Sequence, residues 1–113
     1  MELRYERVAM NEARFRETNE RIAAWSEREG VFPAEKIEFY CECGQSTCFD
    51  RLSLARADYE AVRTDSARFA VLPGHVFPAV ERVVEDHGDY VIVKKAEDVR
   101  RIAEETDPRR PPG

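Results

Sequence analysis

The sequence predicts an α+β fold with a long N-terminal helix, a small mostly antiparallel sheet, a metal-bound turn and a C-terminal helix. Three observations carry that expectation. The first 29 residues hold neither proline nor glycine. Between residues 37 and 95, short runs rich in Val, Ile, Phe and Tyr alternate with turn residues. All three cysteines fall within the eight residues Cys41 to Cys48.

Leu3 to Glu29 reads as one helix, stopped by Gly30 and Phe32-Pro33. Val8, Phe15 and Ile22 recur every seven residues and Trp25 follows, giving a narrow apolar stripe that docks on the core or pairs with a second copy. Glu12–Arg16 and Glu17–Arg21 have the spacing of helical ion pairs. Ile37 to Cys43 alternates as a strand, with Ile37, Phe39, Cys41 and Cys43 on one face. Gly44 to Thr47 is a turn, and Phe49 to Leu54 a return strand. Ser53 is the expected N-cap of a helix reaching Arg63, with Leu54, Tyr59 and Val62 inward. Phe69 to Leu72 is a strand closed by Pro73-Gly74. Val80 to Glu85 and Tyr90 to Lys94 form a hairpin around Asp86-His87-Gly88-Asp89. Ala96 to Thr106 is the last helix, with Val99, Ile102 and Ala103 inward. The expected organisation is one domain: an N-terminal helix (1–30), a metal-stapled core (37–106) and a flexible tail (107–113).

A chain of 113 residues buries only about 60–70% of its unfolded surface, so a metal staple would add needed stability. With 42% hydrophobic residues it is too apolar for disorder throughout. A net charge of −5 and the lack of a dense basic cluster disfavour nucleic acid as a partner. Met1 to Met10 is charged without an apolar segment, and no run approaches the ~20 apolar residues that span a bilayer. The expectation is a cytoplasmic protein, where clustered cysteines point to a metal or redox role rather than a structural disulfide.

The chemistry concentrates in Cys41-Glu42-Cys43-Gly44-Gln45-Ser46-Thr47-Cys48 and Pro73-Gly74-His75. Residues i and i+2 of a strand share a face, so Cys41 and Cys43 reach one ion, and Cys48 returns across the turn. Zinc takes four tetrahedral ligands, commonly sulfur and imidazole. His75, held just after a tight turn, is the expected fourth ligand, with His87 in reserve. Buried cysteines acting as small hydrophobes, an iron–sulfur cluster and a redox dithiol are the alternatives. No P-C-x-x-C follows the Cys-Glu-Cys element, as it would in a zinc deaminase. Phosphate loops and hydrolase motifs are also absent.

The C-E-C-x4-C segment, Tyr59-Glu60-Ala61-Val62-Arg63, Pro73-Gly74-His75 and Glu81-Arg82-Val83-Val84 occur in this order. Together they resemble a group of small uncharacterised bacterial proteins from high-GC Gram-positive species. The resemblance runs from about Phe39 to Thr106 and touches the segment Asn11 to Ile22. It implies the same domain and the grouping of the cysteines with His75, and it implies no mechanism. The expected function is a non-catalytic, zinc-stapled module that binds another protein, with homodimerisation through the N-terminal helix as one form of it. A thiol sensor at the same site is the alternative. A small metalloenzyme with Glu42 as proton carrier is a further one.

Overall fold

The computed structural model describes residues 3–110. Helix α1 (Leu3–Arg28) leads into strands β1 (Lys36–Tyr40) and β2 (Arg51–Ala55), then helix α2 (Arg56–Val62). Strands β3 (Arg68–Val71), β4 (Glu81–Asp86) and β5 (Val91–Lys95) follow, and helix α3 (Arg100–Glu105) closes the order. The fold is α+β, as expected, with the strands divided between two antiparallel sheets. β1 pairs with β2, while β5 lies between β3 and β4.

Helix α1 ends where the sequence places its stop. Gly30 takes φ 74°, and Val31 and Gly30 donate to the carbonyls of Ser26 and Glu27. These two bonds close the last turn in a left-handed glycine cap. The face α1 buries is not the expected stripe. Trp25 is 50% exposed and Phe15 and Ile22 are only half-buried, whereas Glu12, Arg16, Asn19 and Ser26 are fully buried with Val8 and Ala23. Glu12, Asn19 and Ser26 keep a seven-residue step of their own, on a face of the helix turned away from Phe15, Ile22 and Trp25. The true contact keeps helical spacing but is written partly in polar residues.

Most of those polar atoms are paired inside, Glu12 Oε2 and Arg16 Nε excepted. Arg16 donates to the carbonyls of Ser66 and Ala103 and stacks over Phe69. Lys95 donates to Glu12 at 2.6 Å and to Glu81 at 3.1 Å, so Glu12 does not pair with Arg16. Glu17 and Arg21 do pair on the surface. Burial, and then the hydrogen bond to Glu81, push the Glu12 carboxyl well above its ordinary range.

Ser53 is not a cap. It faces Glu38 within β2, Leu54 is a buried strand residue, and α2 opens after Ala55 with no side-chain cap. The apolar core joins both sheets through Phe39, Leu52, Leu54, Tyr59, Phe69 and Ile92, with Phe39 stacked on Tyr59 at 4.5 Å. The expected flexible tail is tied down in its described part. Asp107 is buried, accepting from Arg63 and Ser66, and Arg109 binds Glu20 and Glu60. Residues 111–113 lie outside the described residues.

Candidate metal centre

The sequence expects a strand as far as Cys43, but β1 ends at Tyr40 because its partners change there. Cys41 N–H still bonds to Asp50 of the return chain. Glu42 N–H turns to the Ala70 carbonyl on β3, and Ala70 N–H answers to the Glu42 carboxylate at 3.0 Å. Alternation survives the change. Cys41 and Cys43 share one side and the Glu42 side chain takes the other. Gly44 follows because α1 passes directly over the turn: a Cβ there would lie 2.4 Å from Val8 Cγ1. Asn11 donates to the Gly44 carbonyl. The required feature is close approach, not the turn freedom the sequence suggests. Cys48 N–H then closes a turn onto Gln45.

His75 arrives by a tight turn from β3. Pro73 and Gly74 occupy its centre, Gly74 has φ 85°, and His75 N–H bonds to the Leu72 carbonyl. A positive φ at the third position of a Pro-Gly turn is the type II arrangement. The imidazole is thereby brought back beside Cys41.

The four side chains Cys41, Cys43, Cys48 and His75 converge, their ligand atoms all within 4.8 Å of one another. His75 Nδ1 lies 3.6 Å from Cys41 Sγ and 3.7 Å from Cys48 Sγ. A tetrahedral ion with metal–sulfur bonds of about 2.3 Å and a metal–nitrogen bond of about 2.0–2.1 Å requires a sulfur–nitrogen edge of about 3.6 Å. The donor set and its spacing therefore fit a metal ion. His87 sits elsewhere, at the hairpin tip, stacked on Tyr90 and paired with Glu85.

Peptide N–H groups face all three sulfurs. Leu72 N–H points at Cys41 Sγ at 3.2 Å, and backbone N–H groups of Gln45 and Asp50 serve Cys43 and Cys48. The hydrogen bond from Cys41 draws the Cys43 thiol down to about 5, against the effect of burial. That same hydrogen bond, then burial, holds the Cys41 proton tightly. Burial raises Cys48 as well. The cluster thus releases one proton readily and holds the others by hydrogen bonding and burial, costs that a bound cation would offset. His75 Nε2 faces Asp50 Oδ2 at 3.9 Å, a carboxylate behind the imidazole that sequence reasoning missed.

Glu42 is not placed to carry protons to the cluster. Its carboxylate is fully buried and accepts from Tyr59 Oη at 2.7 Å, Asn19 Nδ2 at 2.9 Å and Ala70 N–H. Asn19 also pairs with both backbone groups of Tyr40, at 2.8 Å each. It acts as a one-residue strand partner between α1 and the cysteine segment. No sequence pattern marks this network except polar residues at buried helical spacing. Among the described residues no helix is long and apolar enough to cross a membrane. Comparison with protein-family models, curated proteins and solved structures found no match.

Proposed function

We propose that the chain is a small zinc protein whose Cys41, Cys43, Cys48 and His75 hold one ion as a structural staple, and that it serves as a non-catalytic module binding another protein. The observation that carries this reading is the convergence of four protein donors within 4.8 Å of one another, with His75 Nδ1 at 3.6 and 3.7 Å from two sulfurs and a peptide N–H aimed at Cys41 Sγ. Catalytic zinc keeps a position open for water or substrate; structural zinc does not. The staple ties three separate pieces, the cysteine segment, the return loop and the turn after β3, so metal binding energy contributes directly to folding. Intact-protein mass spectrometry under native conditions, before and after chelation, tests it. One zinc per chain and loss of cooperative unfolding after chelation support the reading; a chelated protein equally stable sinks it.

One observation favours a second reading. Cys48 is the outermost of the three sulfurs, half-buried while Cys41 and Cys43 are enclosed. A thiol sensor would be oxidised there first. Zinc release at low peroxide that reverses on reduction would favour this over a permanent staple.

A further inference from the structure

The metal loop and α1 enclose a groove outside the core. Three neighbouring depressions, of about 530, 220 and 210 Å³, run in series along α1. Asn11, Arg14 and Ser46 join the first to the second, and Phe15, Thr18 and Phe49 join the second to the third. One wall is the helix; the other is formed by Ser46 and Phe49, with Tyr40 at the far end. The groove follows α1 from Leu3 to Thr18, about 22 Å at 1.5 Å per residue.

Its surface mixes two kinds of contact. Leu3 is 62% exposed, Met10 46% and Phe49 70%, an unusual grouping of large apolar side chains in water. Phe49 stands edge-on to Phe15 at 6.3 Å, so its ring is positioned rather than loose. Arg7 and Arg14 line the same groove, and neither has an ion pair among the described residues. Glu6 is the one acidic side chain in its lining. Arg21 and Arg28 continue the arginine row at seven-residue steps beyond the groove, Arg21 being paired with Glu17. A basic ridge on a chain of net charge −5 is a local departure from the whole.

We propose that this groove binds an acidic amphipathic helix of another protein, laid along α1 with its apolar side chains against Leu3, Met10 and Phe49 and its carboxylates facing Arg7 and Arg14. Seven-residue steps of both the apolar pair Leu3/Met10 and the arginine pair Arg7/Arg14 match the repeat by which two helices pack side by side. Arginine meets carboxylates in bidentate pairs, and such charges select partners by sign. A phosphate backbone satisfies the arginines but offers no aliphatic surface to Leu3 and Met10, which favours the peptide. The proposal deepens the module reading above and rests on it in one respect. Phe49 directly follows Cys48, so the metal would fix one wall of the groove.

The probe is a fluorescein-labelled helical peptide of about four turns carrying leucine and glutamate in heptads, long enough for the ~22 Å groove. Its counterpart carries lysine in place of every glutamate. Anisotropy titrations use the zinc-loaded full chain, the Arg7→Glu/Arg14→Glu variant and Phe49→Ala. The expected result is binding of the acidic peptide, weakened about tenfold or more by the lysine exchange, by the arginine variant and by higher salt. Zinc content and unfolding midpoint should stay unchanged in the arginine variant. Equal binding of both peptides, absence of binding, or an unaffected arginine variant overturns the proposal. Tighter binding of an oligothymidylate through the same arginines overturns it in favour of phosphate. Self-association abolished by the arginine variant assigns the groove to a second copy and also overturns it. Zinc retained without charge-selective binding refutes the groove alone; charge-selective binding by a chain that holds no zinc refutes the staple alone.

Discussion

Replacing Asn19 by alanine should destabilise the protein more than any exposed helical substitution, although Asn19 touches no metal ligand side chain. Its side chain accepts from Tyr40 N–H and donates to Tyr40 C=O and to Glu42 Oε2. Alanine removes all three bonds. The two backbone groups of Tyr40 lie beneath α1 with no strand neighbour to replace Asn19, and each unpaired group costs about 1–2 kcal/mol. The Glu42 carboxylate keeps Tyr59 and Ala70, so its lost donor costs about 1 kcal/mol. The sum is about 3–5 kcal/mol, a large share of the 5–15 kcal/mol typical of a domain. For a chain of this size that corresponds to a fall in Tm of roughly 12–20 °C. Thermal and urea unfolding of the zinc-loaded variant, followed by circular dichroism, measures it. Thr18→Ala, half-buried and bonded only along its own helix, is the control and should shift stability by under about 0.5 kcal/mol. An Asn19→Ala change below about 1 kcal/mol would refute the role given to this side chain.

Other perturbations separate the parts of the account. Cys48→Ser and His75→Ala should each lower zinc content and cost several kcal/mol, while His87→Ala should leave both unchanged, as read by elemental analysis and unfolding. Gly44→Ala should shift the packing of α1 against the turn, seen as lower Tm with zinc retained, because its Cβ would overlap Val8. Glu12 has a raised folded pKa, so the stability it contributes is complete below the ordinary carboxylate pKa and is lost as pH rises through the folded value. Glu12→Gln should therefore flatten the decline in stability as pH rises above the ordinary carboxylate range, measured by urea midpoints. Asp107 behaves oppositely: burial opposes its charge, but Ser66, the Arg109 N–H and the charge of Arg63 hold its pKa below the ordinary value. Its contribution is present above the unfolded pKa and lost as pH falls through the folded one, so Asp107→Asn should remove part of the acid sensitivity.

The grouping of the three cysteines was legible because its signal is local. Cys41 and Cys43 alternate on extended chain, Cys48 returns across one turn, and Pro73-Gly74 forces His75 back toward β3. Short-range geometry settles the cysteines, while His75 meets them through the long-range contact of Glu42 with Ala70 on β3. The buried face of α1 was not legible, because the sequence pattern counts Glu12, Arg16 and Asn19 as surface residues. Their burial depends on partners far along the chain: Lys95, the Ala103 carbonyl and Glu42. No single-segment periodicity contains that information. Ser53 misleads for a related reason. Its identity suits a helix cap, but pairing with β1 keeps it extended for two more residues. The split into two sheets follows from Glu42, whose backbone leaves β2 and bonds to Ala70 instead. Tail residues Asp107 and Arg109 look mobile in composition and are held by Arg63, Glu20 and Glu60.

Elemental analysis of the protein, purified without metal-affinity steps, together with its absorption spectrum, decides whether Cys41, Cys43, Cys48 and His75 hold zinc. One zinc per chain, no visible band, and loss of the ion on Cys48→Ser are expected. A folded protein without metal, or one holding iron with visible absorption, would contradict the zinc staple.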